Sequence, residues 1–166
     1  MAITRGELQR YGTVPLRKLA SRAAGAGSLF LSHSHHDEDL VMSAVAFFAN
    51  QGVEVYVDWL DKGMPAETSP ETAKRLRDMI QLNGKFVLLA TPRSLGSRWV
   101  PWELGCADGL KGIENMAVMT VEDQAGTFPG NEYIGLYATI CQLTGGWGVV
   151  KPGATSGVRL SHWLKN

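Results

Sequence analysis

The sequence predicts an α/β protein with a flavodoxin-like layout: a central parallel sheet of about five strands with helices on both faces. Three observations predict it. Short apolar, β-branched runs alternate with longer segments of helical period. One of those runs, Lys85-Phe-Val-Leu-Leu-Ala90, is apolar on both faces, as a central parallel strand must be. The chain of 166 residues suits one hydrophobic core and would cramp two.

At the start, Thr4-Arg-Gly-Glu7 has the form of a helix capping box. Leu8, Tyr11, Leu16 and Leu19 follow at loosely helical spacing, split by Gly12 and Pro15, and Ala23–Gly27 (AAGAG) forms a joint. Residues 1–27 therefore read as an N-terminal helical extension and residues 28–166 as the domain. The pattern leaves open whether the extension packs on the domain or on a partner.

Ser28–Ser32 is a buried strand. Asp37 or Asp39 can cap a helix through about Gln51, with Leu40, Val41, Ala44, Phe47 and Phe48 inward and Gly52 as its stop. Val53–Val57 is the second strand and 58–69 a loop. Ser69-Pro70 opens a helix striped by Leu76, Met79, Ile80 and Leu82. After the third strand, Lys85–Ala90, comes a helix from about Ser97 to Leu110; Pro101 falls in its first turns or marks its start. Met116–Val121 is the fourth strand and Gly126–Gly130 a loop. Glu132–Ile140 reads as an edge strand or short helix, and Ser156 as the cap of a last helix through Leu164.

Composition narrows the function classes. Lys plus Arg and Asp plus Glu are both 16, so the basic excess of a nucleic-acid binder is absent. The cysteines, Cys106 and Cys141, form no CxxC pair and read as reduced core residues. Neither a signal-peptide core nor a run of roughly 20 apolar residues is present, so no membrane is implied and a cytoplasmic location is expected. No GxxxxGK[ST] or clear GxGxxG follows a strand, which argues against a P-loop enzyme or a dehydrogenase.

Open parallel sheets gather ligands at the carboxyl ends of their strands. That rim holds residues 32–37, 58–65, 91–95 and the start of the 97–110 helix. Three blocks on it resemble the Toll/interleukin-1 receptor (TIR) family, in its bacterial enzymatic type. Leu29-Phe-Leu-Ser-His-Ser-His-His-Asp-Glu-Asp39 is similar to the family's opening strand with its Ser-His/Tyr and acidic residues. Tyr56-Val-Asp-Trp59 through Gly63 and Met64 is similar to the strand and BB loop bordering its active site. Ser97-Arg-Trp-Val-Pro-Trp-Glu-Leu-Gly105 resembles its Ser-x-Trp-Val-x-x-Glu-Leu segment. The resemblance spans about residues 28–141; the His-rich first block and Pro101 depart from the pattern.

The resemblance implies an NAD glycohydrolase or ADP-ribosyl cyclase that breaks the nicotinamide–ribose bond, with NAD as substrate and no further cofactor. It implies Glu103 as the catalytic carboxylate, and Ser32, His33, Ser34, Asp58, Trp59, Trp99 and Trp102 as residues that bind the nucleotide. It also implies homo-oligomers through TIR–TIR contacts and a role in antiphage signalling, with a Thoeris-like effector protein responding to the product. The alternative is a non-catalytic TIR scaffold.

Each residue also has a structural reading. Glu103 near a helix N-terminus gains a few tenths of a kcal/mol, up to about 1, from the macrodipole. Trp99 and Trp102 can be core or interface aromatics, and Ser34 or Asp37 can serve turns and caps. Arg93 can meet a pyrophosphate or stand in solvent. His33-Ser-His35-His36-Asp37 comes close to the HxHxDH metal cluster of metallo-β-lactamase-like hydrolases. Position 38 is Glu, however, and the remaining histidine is His162, too few ligands for a dinuclear centre, so no metal is expected.

Overall fold

The computed structural model describes residues 2–14, 27–122 and 132–166. Leu16, Leu19, most of the Ala23–Gly27 joint and the Gly126–Gly130 loop lie outside them. The strands are β1 (Ile3–Thr4), β2 (Ser28–Ser32), β3 (Glu54–Tyr56), β4 (Lys85–Ala90), β5 (Met116–Glu122), β6 (Ala138–Leu143), β7 (Gly146–Val150) and β8 (Val158–Arg159). The helices are α1 (Arg5–Gln9), α2 (Glu38–Asn50), α3 (Pro70–Leu82), α4 (Pro92–Leu95), α5 (Val100–Lys111) and α6 (Leu160–Trp163).

The sheet runs β3-β2-β4-β5-β6-β7-β8, with β1 beside β5. From β3 to β6 every pairing is parallel. This is the flavodoxin-like order expected, and its reversal point lies between β2 and β4, where such sheets open a crevice. β2 and β4 are buried along their whole length. Because alternate side chains face opposite ways, Leu29, Leu31, Val87 and Leu89 pack on α2, and Phe30, Phe86 and Leu88 pack on the α3 and α5 side.

The ends of the elements follow the local chemistry. Gly52, at φ +81°, closes α2 in a Schellman turn: Val53 N–H donates to Phe48 O and Gly52 N–H to Ala49 O. Asp37 holds the N-cap position of α2 but makes no capping bond; its carboxylate accepts from Thr91 Oγ1 across the sheet edge at 2.5 Å. Residues 3–14 pack on the domain itself. Leu8 is fully buried, Tyr11 meets Phe47 edge to face, and Trp147 Nε1 donates to the Tyr11 hydroxyl at 2.9 Å.

Several expectations are corrected. Around the five-strand parallel core that was expected, β1 and the antiparallel pair β7 and β8 extend the sheet. Residues 132–140 are neither a helix nor an edge strand: a 3₁₀ turn, Ile134–Leu136, leads into β6, which β7 then covers. The turn into β7 uses Gly145 and Gly146 at φ +90° and +134°, conformations that side chains disfavour. Ser156 caps nothing; Val158–Arg159 is strand, and the last helix begins only at Leu160. Leu82, counted in the α3 stripe, is 52% exposed. The third long helix begins at Val100, three residues later than Ser97, with Pro101 in its first turn.

The loop after β3 is tied down by Asp61. Its carboxylate accepts two bonds from Arg75, one from the Tyr56 hydroxyl and one from the Gly63 N–H, at 2.7–3.1 Å. Desolvation works against its charge, but these donors outweigh it and hold the Asp61 pKa below its usual value. Asp61→Ala leaves the half-buried Tyr56 hydroxyl without this acceptor and frees the loop. We expect a loss of about 1–3 kcal/mol in urea unfolding, with the slope unchanged.

Candidate functional site

The site stands at the carboxyl ends of β2 and β3, against the first turn of α5. β2 ends at Ser32, so its extension delivers Ser32, His33 and Ser34 to the rim. β3 ends at Tyr56, and a 3₁₀ turn at Asp58–Leu60 follows at once. The parallel register of Phe30 with Tyr56 brings the two strand ends side by side. Opposite them, α5 starts with Val100 and Pro101, and Glu103 N–H donates to Trp99 O at 2.8 Å, the first bond of that helix.

Glu103 lies in this first turn with only 4% of its surface exposed, and the Ser32 hydroxyl donates to its Oε2 at 2.5 Å. A sheet-end hydroxyl and a helix-start carboxyl, 71 residues apart in sequence, are thereby joined. Burial pushes the Glu103 pKa up to about 8; the Ser32 bond acts against this shift, and the charge of Asp58 adds to it.

Beside this pair sits a second group. Asp58 Oδ2 lies 2.9 Å from His35 Nε2, and Asp58 Oδ1 lies 3.4 Å from His33 Nε2. The Asp58 carboxylate feels desolvation most, yet the His35 hydrogen bond and both imidazoles outweigh it and keep its pKa low. The His35 bond raises the pKa of His35 in return. His33 behaves differently. It is buried, and desolvation lowers its pKa despite Asp58. Its Nδ1 lies 2.8 Å from Leu31 O, so the neutral ring donates there and carries its lone pair on Nε2.

Trp59 closes the group, its ring 5.2 Å from the His33 ring and nearly edge-on. His33 Nε2 and Trp59 Nε1 are buried polar atoms with no hydrogen-bond partner. The Asp58 oxygen 3.4 Å from His33 Nε2 forms no hydrogen bond with it, because the proton of the neutral ring sits on Nδ1. One free acceptor and one free donor therefore sit together at the rim, and such groups cost about 1–3 kcal/mol each while unpaired.

The structure thus brings together Ser32, Glu103, His33, Asp58 and Trp59, and adds His35, which sequence reasoning weighed only as part of the metal-cluster pattern. Ser34 takes its structural role: it caps the 3₁₀ turn His35–Asp37 through His36 N–H. Trp99 and Trp102 meet each other edge to face at 5.3 Å and pack on the α3 and α5 side of the sheet, whereas Trp59 packs on the α2 side. Arg93 donates to His36 O and lies 3.6 Å from Asp37, so it braces the first block with its side chain 60% exposed. No helix of the described residues is long and apolar enough to cross a membrane.

These features are those of a flavodoxin-like TIR fold: a five-strand parallel core, with a buried glutamate opposite the end of the first core strand. No family model matches the chain. It is similar to the probable 3' cyclic ADP-D-ribose synthase ThsB' of Bacillus cereus (strain MSX-D12), with 34% identity over 120 residues. The match takes in 70% of this chain and 61% of that relative's length. The chain belongs to the TIR-domain family of bacteria.

A buried acid with a raised pKa makes stability depend on pH. Between the ordinary 4.5 and about 8 the folded state holds a proton that the unfolded state has released, so stability falls as pH rises through that window. Glu103→Gln removes this penalty. We expect the variant to melt above the parent at about pH 9 and to lose that advantage at about pH 5, as read by calorimetry. Parallel melting curves at both pH values would contradict the buried, proton-holding carboxyl.

Proposed function

We propose that this chain cleaves the nicotinamide–ribose bond of NAD, with Glu103 as the catalytic carboxylate. The observation that carries the reading is the Glu103 carboxyl, buried at the ligand edge of the sheet and held by Ser32 beside two unpaired polar atoms. The relative's name, a 3' cyclic ADP-D-ribose synthase, supports the same substrate class.

The chemistry uses what these residues offer. Nicotinamide departs as a neutral molecule with the bonding electron pair, so no strong acid is needed, and positive charge develops on the ribose as in glycoside cleavage. An ionised Glu103 stabilises that charge from a fixed position. In the free protein the carboxyl holds its proton near neutrality. The pyridinium cation of NAD favours the ionised form, and the Ser32 hydroxyl supports it. His33 Nε2 and Trp59 Nε1 pair with the donor and acceptor of the nicotinamide carboxamide. Asp58, kept charged by His35, accepts from ribose hydroxyls. Trp99 or Trp102 offers an indole face to a ring of the nucleotide, in its own protomer or in a neighbour's site.

Capture of the ribosyl cation by water gives ADP-ribose. Capture within the molecule closes a ring, and the relative's name favours a 3' position as the acceptor over an adenine nitrogen. The attacking hydroxyl loses its proton as the new carbon–oxygen bond forms. A cyclic product of this kind suits a signal read by a separate effector in antiphage defence, with the catalyst working as a TIR homo-oligomer in the cytoplasm.

Chromatography of NAD incubations at several protein concentrations, with and without crowding agents, tests the reading. We expect nicotinamide with a cyclic ADP-ribose isomer or ADP-ribose, and a turnover at least about 100-fold lower in Glu103→Gln. The kcat/KM of the parent should rise with pH through about 8, as the free protein's carboxyl ionises. Trp59→Phe keeps the ring and removes the donor, so it should raise KM by roughly 10-fold. No nicotinamide release under any of these conditions would sink the enzyme and leave a TIR scaffold.

A further inference from the structure

We infer that His33, His35 and Asp58 form a site for one divalent transition-metal ion, Zn²⁺ above others, and that its occupation closes the NAD site. The donor atoms of the three residues all lie within 4.8 Å of one another. Two separations, to different oxygens of Asp58, are 3.4 Å from His33 Nε2 to Oδ1 and 2.9 Å from His35 Nε2 to Oδ2, near the roughly 3.3 Å between neighbouring donors around a tetrahedral ion with bonds of about 2.0 Å.

The second observation is the state of His33. Its Nδ1–H donates to Leu31 O, which is how a metal-binding histidine is usually fixed from behind by a backbone carbonyl. Its Nε2 lone pair then points into the cluster, buried and without a hydrogen-bond partner. A lone pair so placed meets a carboxylate oxygen with no proton between them, an arrangement that a cation relieves. His35, with its side chain 62% exposed, gives the ion a way in and can turn to complete the geometry.

The donor set decides which ion. Two imidazole nitrogens and one carboxylate suit Zn²⁺, Co²⁺, Ni²⁺ or Cu²⁺, among which a tetrahedral arrangement favours Zn²⁺ and Co²⁺, whereas Mg²⁺ and Ca²⁺ require oxygen-rich shells. Three protein ligands leave a fourth position for water. The site differs from a dinuclear hydrolase centre, which the count of histidines ruled out. Its third ligand comes from the end of β3 through the fold, not from the His-rich block. A bound ion takes the His33 lone pair and the Asp58 oxygens, the groups assigned to nicotinamide and ribose. That closure rests on the NAD reading; the binding of metal does not.

The test uses the full chain, stripped with a chelator. Zn²⁺ is titrated against a colorimetric chelator, and Co²⁺ is followed by visible absorption. We expect one equivalent bound with the intense bands of four-coordinate cobalt, no competition from Mg²⁺, and binding at least about 10-fold weaker in His35→Ala and Asp58→Asn. His35 is exposed, so its variant should still unfold in one cooperative transition, with only a small drop in melting temperature for the lost Asp58 bond, which separates ligand loss from unfolding. Undiminished Zn²⁺ affinity in His35→Ala, as adventitious binding at other side chains would give, overturns the site. Nicotinamide release unchanged by saturating Zn²⁺ overturns the closure. A metal-free chain that never releases nicotinamide overturns the NAD reading instead, and the titration still decides the metal site.

Discussion

The hydrogen bond from Ser32 to Glu103 is the constraint around which the functional end of this protein is organised. It joins the last residue of a central strand to the first turn of a helix, and it does so where water is excluded. A carboxyl in that position raises its pKa and destabilises the folded state when ionised. The surrounding structure tolerates it because the strands on either side of the crevice are wholly buried. A loose rim would let water reach the carboxyl, and its unusual proton affinity would vanish.

Asymmetry between neighbouring acids is the second theme. Glu103 and Asp58 occupy the same rim, yet burial leaves the first protonated near neutrality and the hydrogen bond from His35 keeps the second charged. The same contrast divides the histidines: desolvation keeps His33 neutral, and Asp58 draws a proton towards His35. Four titratable groups within a few side chains of one another are therefore driven apart in protonation, a condition that often marks a site of chemistry.

Much of this was legible in the sequence, and for identifiable reasons. Alternating period, the doubly apolar Lys85–Ala90 run and Gly52 after α2 announce the parallel core, because burial on both faces leaves little room for other residues there. Glu103, Ser32, His33, Asp58 and Trp59 were reachable from three short blocks at the strand ends. What lay hidden depends on distance in space. His35 looked like part of a linear histidine cluster, and only the adjacency of β2 and β3 makes Asp58 its partner. Asp37 reads as a cap, but a hydroxyl on another segment, Thr91, captures its carboxylate first. β7 is short and carries two glycines, so its period is too brief to show, and β8, two residues long, leaves no pattern at all.

The added antiparallel strands have a consequence for assembly. They leave β3 and β8, three and two residues long, as the outer strands of the main sheet. Edges so short offer few backbone groups for another chain to zip onto, which protects the protein from open-ended strand stacking. Among the described residues, that leaves the side chains of helices and loops as the broader surface for any contact between copies, one whose geometry single substitutions can tune.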